Sequence, residues 1–212
     1  MASKGFPFLN QAIHMTYFFL VFALLLNGCA GNTPMQFYML NADDPSSDAS
    51  NLPFDKHLVV GLGPIHLPDY LNRPQIVVEV SKNQYNLDEH HRWAERLDQN
   101  IGRALARSLA GRLGVEQIVR HPWSQKQHID YQVGIDILAF HQSADGQSRL
   151  QAQWQIKNQE QLLRSKQFDC SLASTDDPDA IVTAQSACLG RLSMEIVAEL
   201  RQLANAGIGN RE

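Results

Sequence analysis

The chain has 212 residues, 44% of them hydrophobic, with 18 Lys+Arg against 22 Asp+Glu and a formal net charge of −4, which excludes a nucleic-acid binder working through bulk positive charge. Charged residues make up only 19% of it, too few for a disordered acidic tail or a solvated coiled coil. Three cysteines are too few for a disulfide-built miniprotein and too scattered for a zinc module.

Residues 17 to 26 read YFFLVFALLL, an unbroken apolar run of ten. A spanning helix needs about twenty apolar residues, so the run is short for crossing a bilayer and matches the apolar region of a secretory signal. Lys4 and His14 are the only candidates for a positive n-region, and a start at Met15 would leave no charge there. Leu26-Asn27-Gly28-Cys29 follows and resembles a bacterial lipobox. Small residues let the Gly28–Cys29 bond enter a membrane-embedded peptidase, and the Cys29 thiol takes a diacylglyceryl group. The plainer alternatives are an ordinary secretory signal ending near a Cys, or a short buried helix with a core Cys. Each buried methylene of an acyl chain contributes about 0.8 kcal/mol, and stable anchoring takes more than one chain; a triacylated Cys29 meets that need. Ala30 follows, not Asp, and by resemblance to the sorting rule of Gram-negative lipoproteins this points to the outer membrane. Residues 1–28 are therefore expected to be a removable signal peptide and residues 29–36 a lipidated tether. The remaining 184 residues hold 17 basic and 22 acidic side chains, net −5, and a domain of this size buries roughly 70% of its unfolded surface.

Along the mature chain, Phe37 to Leu40 predicts a first strand and Asn41 to Asn51 a polar, turn-rich surface loop. His57 to Ile65 predicts a strand, Pro68-Asp69-Tyr70-Leu71 a turn, and Pro74 to Val80 another strand. Asn83 to Asn86 reads as a turn, with His90 to Arg92 leading into a helix. That helix is predicted from Trp93 to Leu113, because Trp93, Leu97, Ile101, Ala104, Leu105, Leu109 and Leu113 fall on one stripe; Gly114 is its stop. Val115 to Val119 predicts a short strand. The strongest pattern comes next. Ile129, Tyr131, Val133, Ile135, Ile137 and Ala139 alternate with polar residues, Asp145-Gly146 turns, and Leu150, Ala152, Trp154 and Ile156 alternate again, which predicts an antiparallel hairpin. Leu162 to Leu172 predicts a third strand of that group. A last helix is predicted from Pro178 to Leu203, with Ile181, Ala184, Cys188, Leu192, Ile196 and Leu200 inward, and residues 205–212 as a frayed tail. The order implies a single α+β domain over residues 37–204, a largely antiparallel sheet with two long helices packed on it.

Catalytic chemistry is scarce. Gly61-Leu62-Gly63-Pro64 lacks the following helix and the Lys of a phosphate-cradling loop, and no Gly-x-Ser-x-Gly elbow occurs. Glu89-His90-His91 is the one histidine cluster; it reads as a polar loop entering the helix, since adjacent side chains diverge and chelate poorly. No metal or cofactor is expected. Cys170 and Cys188 are the two thiols left once Cys29 is lipidated, and beyond a signal peptide they invite a disulfide, closing a loop worth about 3 kcal/mol; two separate buried thiols are the alternative, and Cys188 does lie on the apolar stripe.

Pro68 to Val77 (PDYLNRPQIV) and Arg92 to Leu113 (RWAERLDQNIGRALARSLAGRL) carry a resemblance. A Pro68-Asp69-Tyr70-Leu71 turn after a strand, then Trp93, Ala94, Leu97 and Asp98 at a helix start, is similar to the PqiC family of ABC-type transport auxiliary lipoproteins, over roughly residues 35–203. The cysteine pair is not part of that pattern. The resemblance implies a lipid-anchored outer-membrane protein facing the periplasm, without enzymatic activity. It further implies a homo-oligomeric accessory and docking subunit of an MCE-type intermembrane lipid transport system, with a PqiB-like MCE protein and a PqiA-like inner-membrane protein as partners. A lipid-binding carrier with its own cavity is the competing reading. Pro68, Asp69, Tyr70, Leu71 and Trp93 are candidate partner-binding residues, because apolar side chains in a Pro-flanked turn can protrude and aromatics favour interface cores. A turn packed back on the sheet is an equal alternative, and Trp93 reads first as a core anchor. The polar face of Gln132, Asp136, Gln151, Gln153 and Gln155 reads as a solvated sheet face before a subunit contact.

Overall fold

Alternation of apolar and polar side chains builds the centre of the sheet. In the computed structural model, which describes residues 34–42, 54–55, 57–159 and 161–208, β6 (Tyr131–Gln142) and β7 (Gln147–Asn158) pair antiparallel in the predicted hairpin. β8 (Gln161–Ala173) continues the meander on the far edge of β7. Along β7, Ser148, Leu150, Ala152, Trp154 and Ile156 are buried, and the residues between them face away from the core. The expected signal peptide with Gly28, the expected lipidation site Cys29 and most of the predicted loop over 41–51 lie outside the described residues.

The other strands are β1 (Gln36–Tyr38), β2 (Val60–His66), β3 (Gln75–Ser81), β4 (Gln84–Trp93) and β5 (Val119–Arg120). The second edge of β6 is shared. β2 runs parallel to its first half, from Val60 opposite Tyr131 to His66 opposite Asp136, and β3 joins its end in parallel at Val78 opposite Gln142. β4 returns antiparallel on β3, and β1 and β5 pair parallel with β4 and β2. The α+β class holds, but the sheet is mixed. Its long pairings are antiparallel, as expected, while β1, β2 and β5 add parallel ones that local sequence patterns cannot announce, since a parallel partner is always distant in the chain.

Strand β4 corrects the reading of residues 83–92. The turn is confined to Lys82 and Asn83, and Glu89-His90-His91 lies within the strand, not in a loop. A weak alternation, Tyr85 and Leu87 against Gln84, Asn86 and Asp88, was its only local signal. Near its end β4 bulges. Ile76 pairs with Asp88 but Gln75 with Arg92, and the Asp88 carboxylate accepts the freed N–H groups of His90 and His91 and the His91 ring at 2.6 Å. Burial raises the Asp88 pKa, but these donors outweigh it and hold the carboxyl below its usual value.

Helix α1 (Leu97–Leu113) starts four residues later than the stripe suggests, because Trp93 ends β4. The stripe itself is buried, and Gly114 closes the helix with φ 71°, donating to the Ala110 carbonyl, a conformation that only glycine adopts without strain. Helix α2 (Pro178–Ile208) extends past Ala204, where fraying was expected. It packs against α1 and against β6, β7 and β8, so more of its circumference is buried than one stripe: Val182, Leu189 and Val197 join the predicted set. Arg201 donates to the last-turn carbonyl of Arg112 at 2.6 Å, which places a cation at the negative end of α1. Glu199, 8% exposed, accepts from Arg164 at 2.9 Å and Lys166 at 2.6 Å on β8.

Cys170 on β8 and Cys188 on α2 are joined as a disulfide, with Cα atoms 5.7 Å apart and a sequence separation of 18. It ties the last strand to the helix that covers it. Titration of the unreduced, denatured mature chain should find no free thiol, and Cys188→Ser should lower unfolding free energy by about 3 kcal/mol. Two reactive thiols in the untreated protein would show that the bridge does not form.

Candidate partner-binding site

The Pro68–Leu71 turn sits where β2 gives way to β3 along the edge of β6. Leu71 N donates to the Pro68 carbonyl at 2.9 Å and Asn72 N to Asp69 at 3.2 Å. Leu71 is 1% exposed and belongs to the core. Trp93 is 4% exposed, packs near Phe140 with ring centroids 6.3 Å apart, and donates its backbone N–H to Pro74. Leu71 and Trp93 thus fill the interior, as the readings of a turn packed back on the sheet and of a core anchor have it, and neither side chain is presented to a partner. Pro68 is half-buried and Asp69 exposed.

Tyr70 packs on the side of β6 away from the helices. Its hydroxyl lies 3.4 Å from the Leu138 carbonyl and 3.2 Å from His141 Nδ1. The ring lies 5.1 Å from Tyr85, which meets His141 edge-on at 5.3 Å. His141 Nε2 faces Glu79 at 3.5 Å. A neutral imidazole with its proton on Nε2 satisfies both neighbours, donating toward Glu79 and accepting from Tyr70. The electrostatics agree. Burial holds the His141 pKa below its ordinary value, against the pull of Glu79. Burial, then Tyr85 and Glu79, push the Tyr70 hydroxyl up to about 12. Both groups are neutral near pH 7, so the cluster is a polar clamp holding β3 and β4 on β6. His141 and Tyr85 were missed in sequence, one as the residue after an apolar strand run, the other inside a supposed turn.

Beside the clamp the surface opens. Leu138 is 49% exposed and Tyr85 41%. A groove of about 210 Å³ runs from Leu138 along Gln151, Ala152, Gln167, Phe168 and Asp169. Asp136, Gln153 and Gln167 lie in register across three strands, and Gln151 bonds Asp169. The predicted polar residues Gln132, Asp136, Gln151, Gln153 and Gln155 thus share one sheet face, with an apolar rim at Leu138 and Tyr85. Gly61 and Gly63 serve packing: a Cβ on Gly61 would meet Ile129 at 2.9 Å and Trp123 at 3.1 Å. Among the described residues no group of three or more His, Cys, Asp or Glu could hold a metal ion, and no helix is long and apolar enough to cross a membrane.

The sequence signature of the ABC-type transport auxiliary lipoprotein component matches residues 38–197. The chain belongs to this family. It is 22% identical over 182 residues to the intermembrane transport lipoprotein PqiC of Escherichia coli (strain K12), covering 85% of this chain and 95% of that protein, and equally to PqiC of Shigella flexneri. Two crystal structures share the fold. One, of an uncharacterized protein, is 22% identical with a TM-score of 0.63 and covers 79% of this chain and 99% of its own. The other, from Xanthomonas campestris, is 13% identical with a TM-score of 0.62 and covers 84% and 98%. The match spans the Pro68–Leu71 turn, Trp93, the whole of α1 and α2 as far as Val197 in this auxiliary lipoprotein.

The clamp makes stability depend on pH. The folded imidazole of His141 resists a proton that the unfolded chain accepts below about pH 6.5. Stability is therefore complete above that value and falls as pH drops toward the depressed folded pKa. Thermal melts from about pH 7.5 to about 5.5 should show this loss, and His141→Gln should flatten the slope. An unchanged slope in the variant would place the titration elsewhere.

Proposed function

We propose that this auxiliary lipoprotein is held by an acylated Cys29 in the outer membrane, faces the periplasm, and acts as a non-enzymatic docking subunit of an MCE-type intermembrane transport system. The observation that carries this reading is the family match over the folded domain, immediately downstream of Leu26-Asn27-Gly28-Cys29. Ala30 at the sorting position supports the outer membrane. The curated relatives named as intermembrane transport lipoproteins support the transport role. A PqiB-like MCE protein and a PqiA-like inner-membrane protein are the partners, and the docking subunit is a homo-oligomer. The outward face of β6, β7 and β8 suits such contacts. It is polar but sparsely charged, so pairing there strands few ions, and Leu138 and Tyr85 offer apolar anchors.

Cys29→Ala should release the protein from membranes into the soluble periplasmic fraction; retention of that variant in the membrane would refute the anchor. Affinity purification of the lipidated chain from native membranes should recover an MCE-domain protein. Gln153→Arg together with Gln167→Arg should reduce that recovery without lowering the melting temperature. Stoichiometric phospholipid with no protein partner would instead favour a carrier.

A further inference from the structure

Three exposed apolar side chains alternate along the short stretch that contains β1. Met35 is 55% exposed, Phe37 62% and Met39 45%. They alternate with Gln36, which is also exposed, and with the half-buried Tyr38 and the buried Leu40, as the period of an extended chain requires. Tyr38 and Leu40 are fixed. Leu40 is buried and its N–H donates to Asn100 on α1 at 3.0 Å, Ala94 N donates to the Tyr38 carbonyl at 2.9 Å, and Asn41 N donates to Ser186 on α2 at 3.1 Å. Met35, Phe37 and Met39 are thus held beside a fixed edge, with the Met39 sulfur 3.6 Å from Arg103 Nη2 on α1. Val80 and Leu162, also exposed, lie on other strands, and the family match begins only at Tyr38.

We propose that this edge of the domain rests on the phospholipid surface that holds the anchor, with Met35, Phe37 and Met39 entering its headgroup layer. The inference rests on the lipid-anchor reading of Cys29. Six peptide units separate Cys29 from Met35, which reach at most about 20 Å when fully extended. A strand tethered so closely to the bilayer meets it constantly, and three apolar side chains aimed outward gain by leaving water. A second copy of this chain fits the edge less well, since β1 has only three residues and offers few backbone groups for strand addition. Contact stays shallow. Among the described residues no strand pairs with the outer edge of β1, and the hydrocarbon core does not tolerate unpaired backbone groups. It is also apolar in origin. The flanking cations are already matched, Arg92 by Glu89 at 2.6 Å and Arg103 by Glu95 at 2.7 Å, so anionic lipid is not required.

The test uses the full lipidated chain carrying Phe37→Cys, labelled with an environment-sensitive dye and reconstituted into phosphatidylcholine vesicles with brominated acyl chains. Lys126→Cys, in the exposed loop after β5 at the other end of the strand path, is the control. The label at position 37 should emit to the blue of the control, lose intensity to the brominated lipid and resist aqueous iodide. The control should behave in the opposite way. Quenching of position 37 by iodide, in protein that floats with the vesicles, would overturn the surface contact while leaving the anchor intact. Shielding from both quenchers would overturn it too, and point to a protein covering the strand. Failure of the chain to float with the vesicles would remove anchor and contact together.

Discussion

Strand β6 has two unlike edges, and the rest of the domain is arranged by that difference. One edge is fully paired with β7 from Gln132 to Gln142. The other is occupied by β2 at its start and by β3 at its end. Among the described residues no strand pairs with it from Ile137 to His141. Backbone polar groups in a partly buried strand must find partners. The Pro68–Leu71 turn sits across that gap and places the Tyr70 hydroxyl between His141 Nδ1 at 3.2 Å and the Leu138 carbonyl at 3.4 Å, which share its one proton. The bulge in the β6–β7 ladder between Ile137 and Ala139 lies at the same place. It exposes Leu138 on the outer side while Phe140 points into the core.

The turn therefore does two jobs with adjacent side chains. Tyr70 goes outward to His141 and Tyr85, and Leu71 goes inward to the core. Trp93, at the other end of β4, returns to Phe140. Together they secure the β3–β4 pair, and β1 and the start of α1 follow from where β4 ends. Helix α2 closes the opposite side through the disulfide to β8, the Glu199 pairs with Arg164 and Lys166, and the Arg201 contact with α1.

This division explains why the family motifs are easy to recognise and a contact surface is not. The motifs behind the resemblance are packing motifs. A buried Leu71 or Trp93 tolerates little change, because truncating such a side chain leaves a cavity costing about 2–5 kcal/mol. The outward sheet face obeys no such constraint. Glutamines at 151, 153 and 155 satisfy solvent as readily as a partner, so their pattern in one chain announces only that the face is polar.

The sequence by itself determined much of this protein. Period-two alternation over residues 129–156 specified the hairpin. Stripes of period 3.6 specified both helices, and Gly114 the end of the first, because each signal is local. Tertiary structure alone decided the parallel pairings of β1, β2 and β5, the existence of β4, and the paths of Tyr70 and Leu71. β4 is polar because it lies away from the helix-covered core, and its strand conformation comes from β3 and β1, which no local pattern encodes. The turn could not be assigned an inward or outward role until β6 was seen to have a gap beside it. The same holds for Met35, Phe37 and Met39: their alternation is written in the chain, but only the placement of Tyr38 and Leu40 against the helices turned the other three outward.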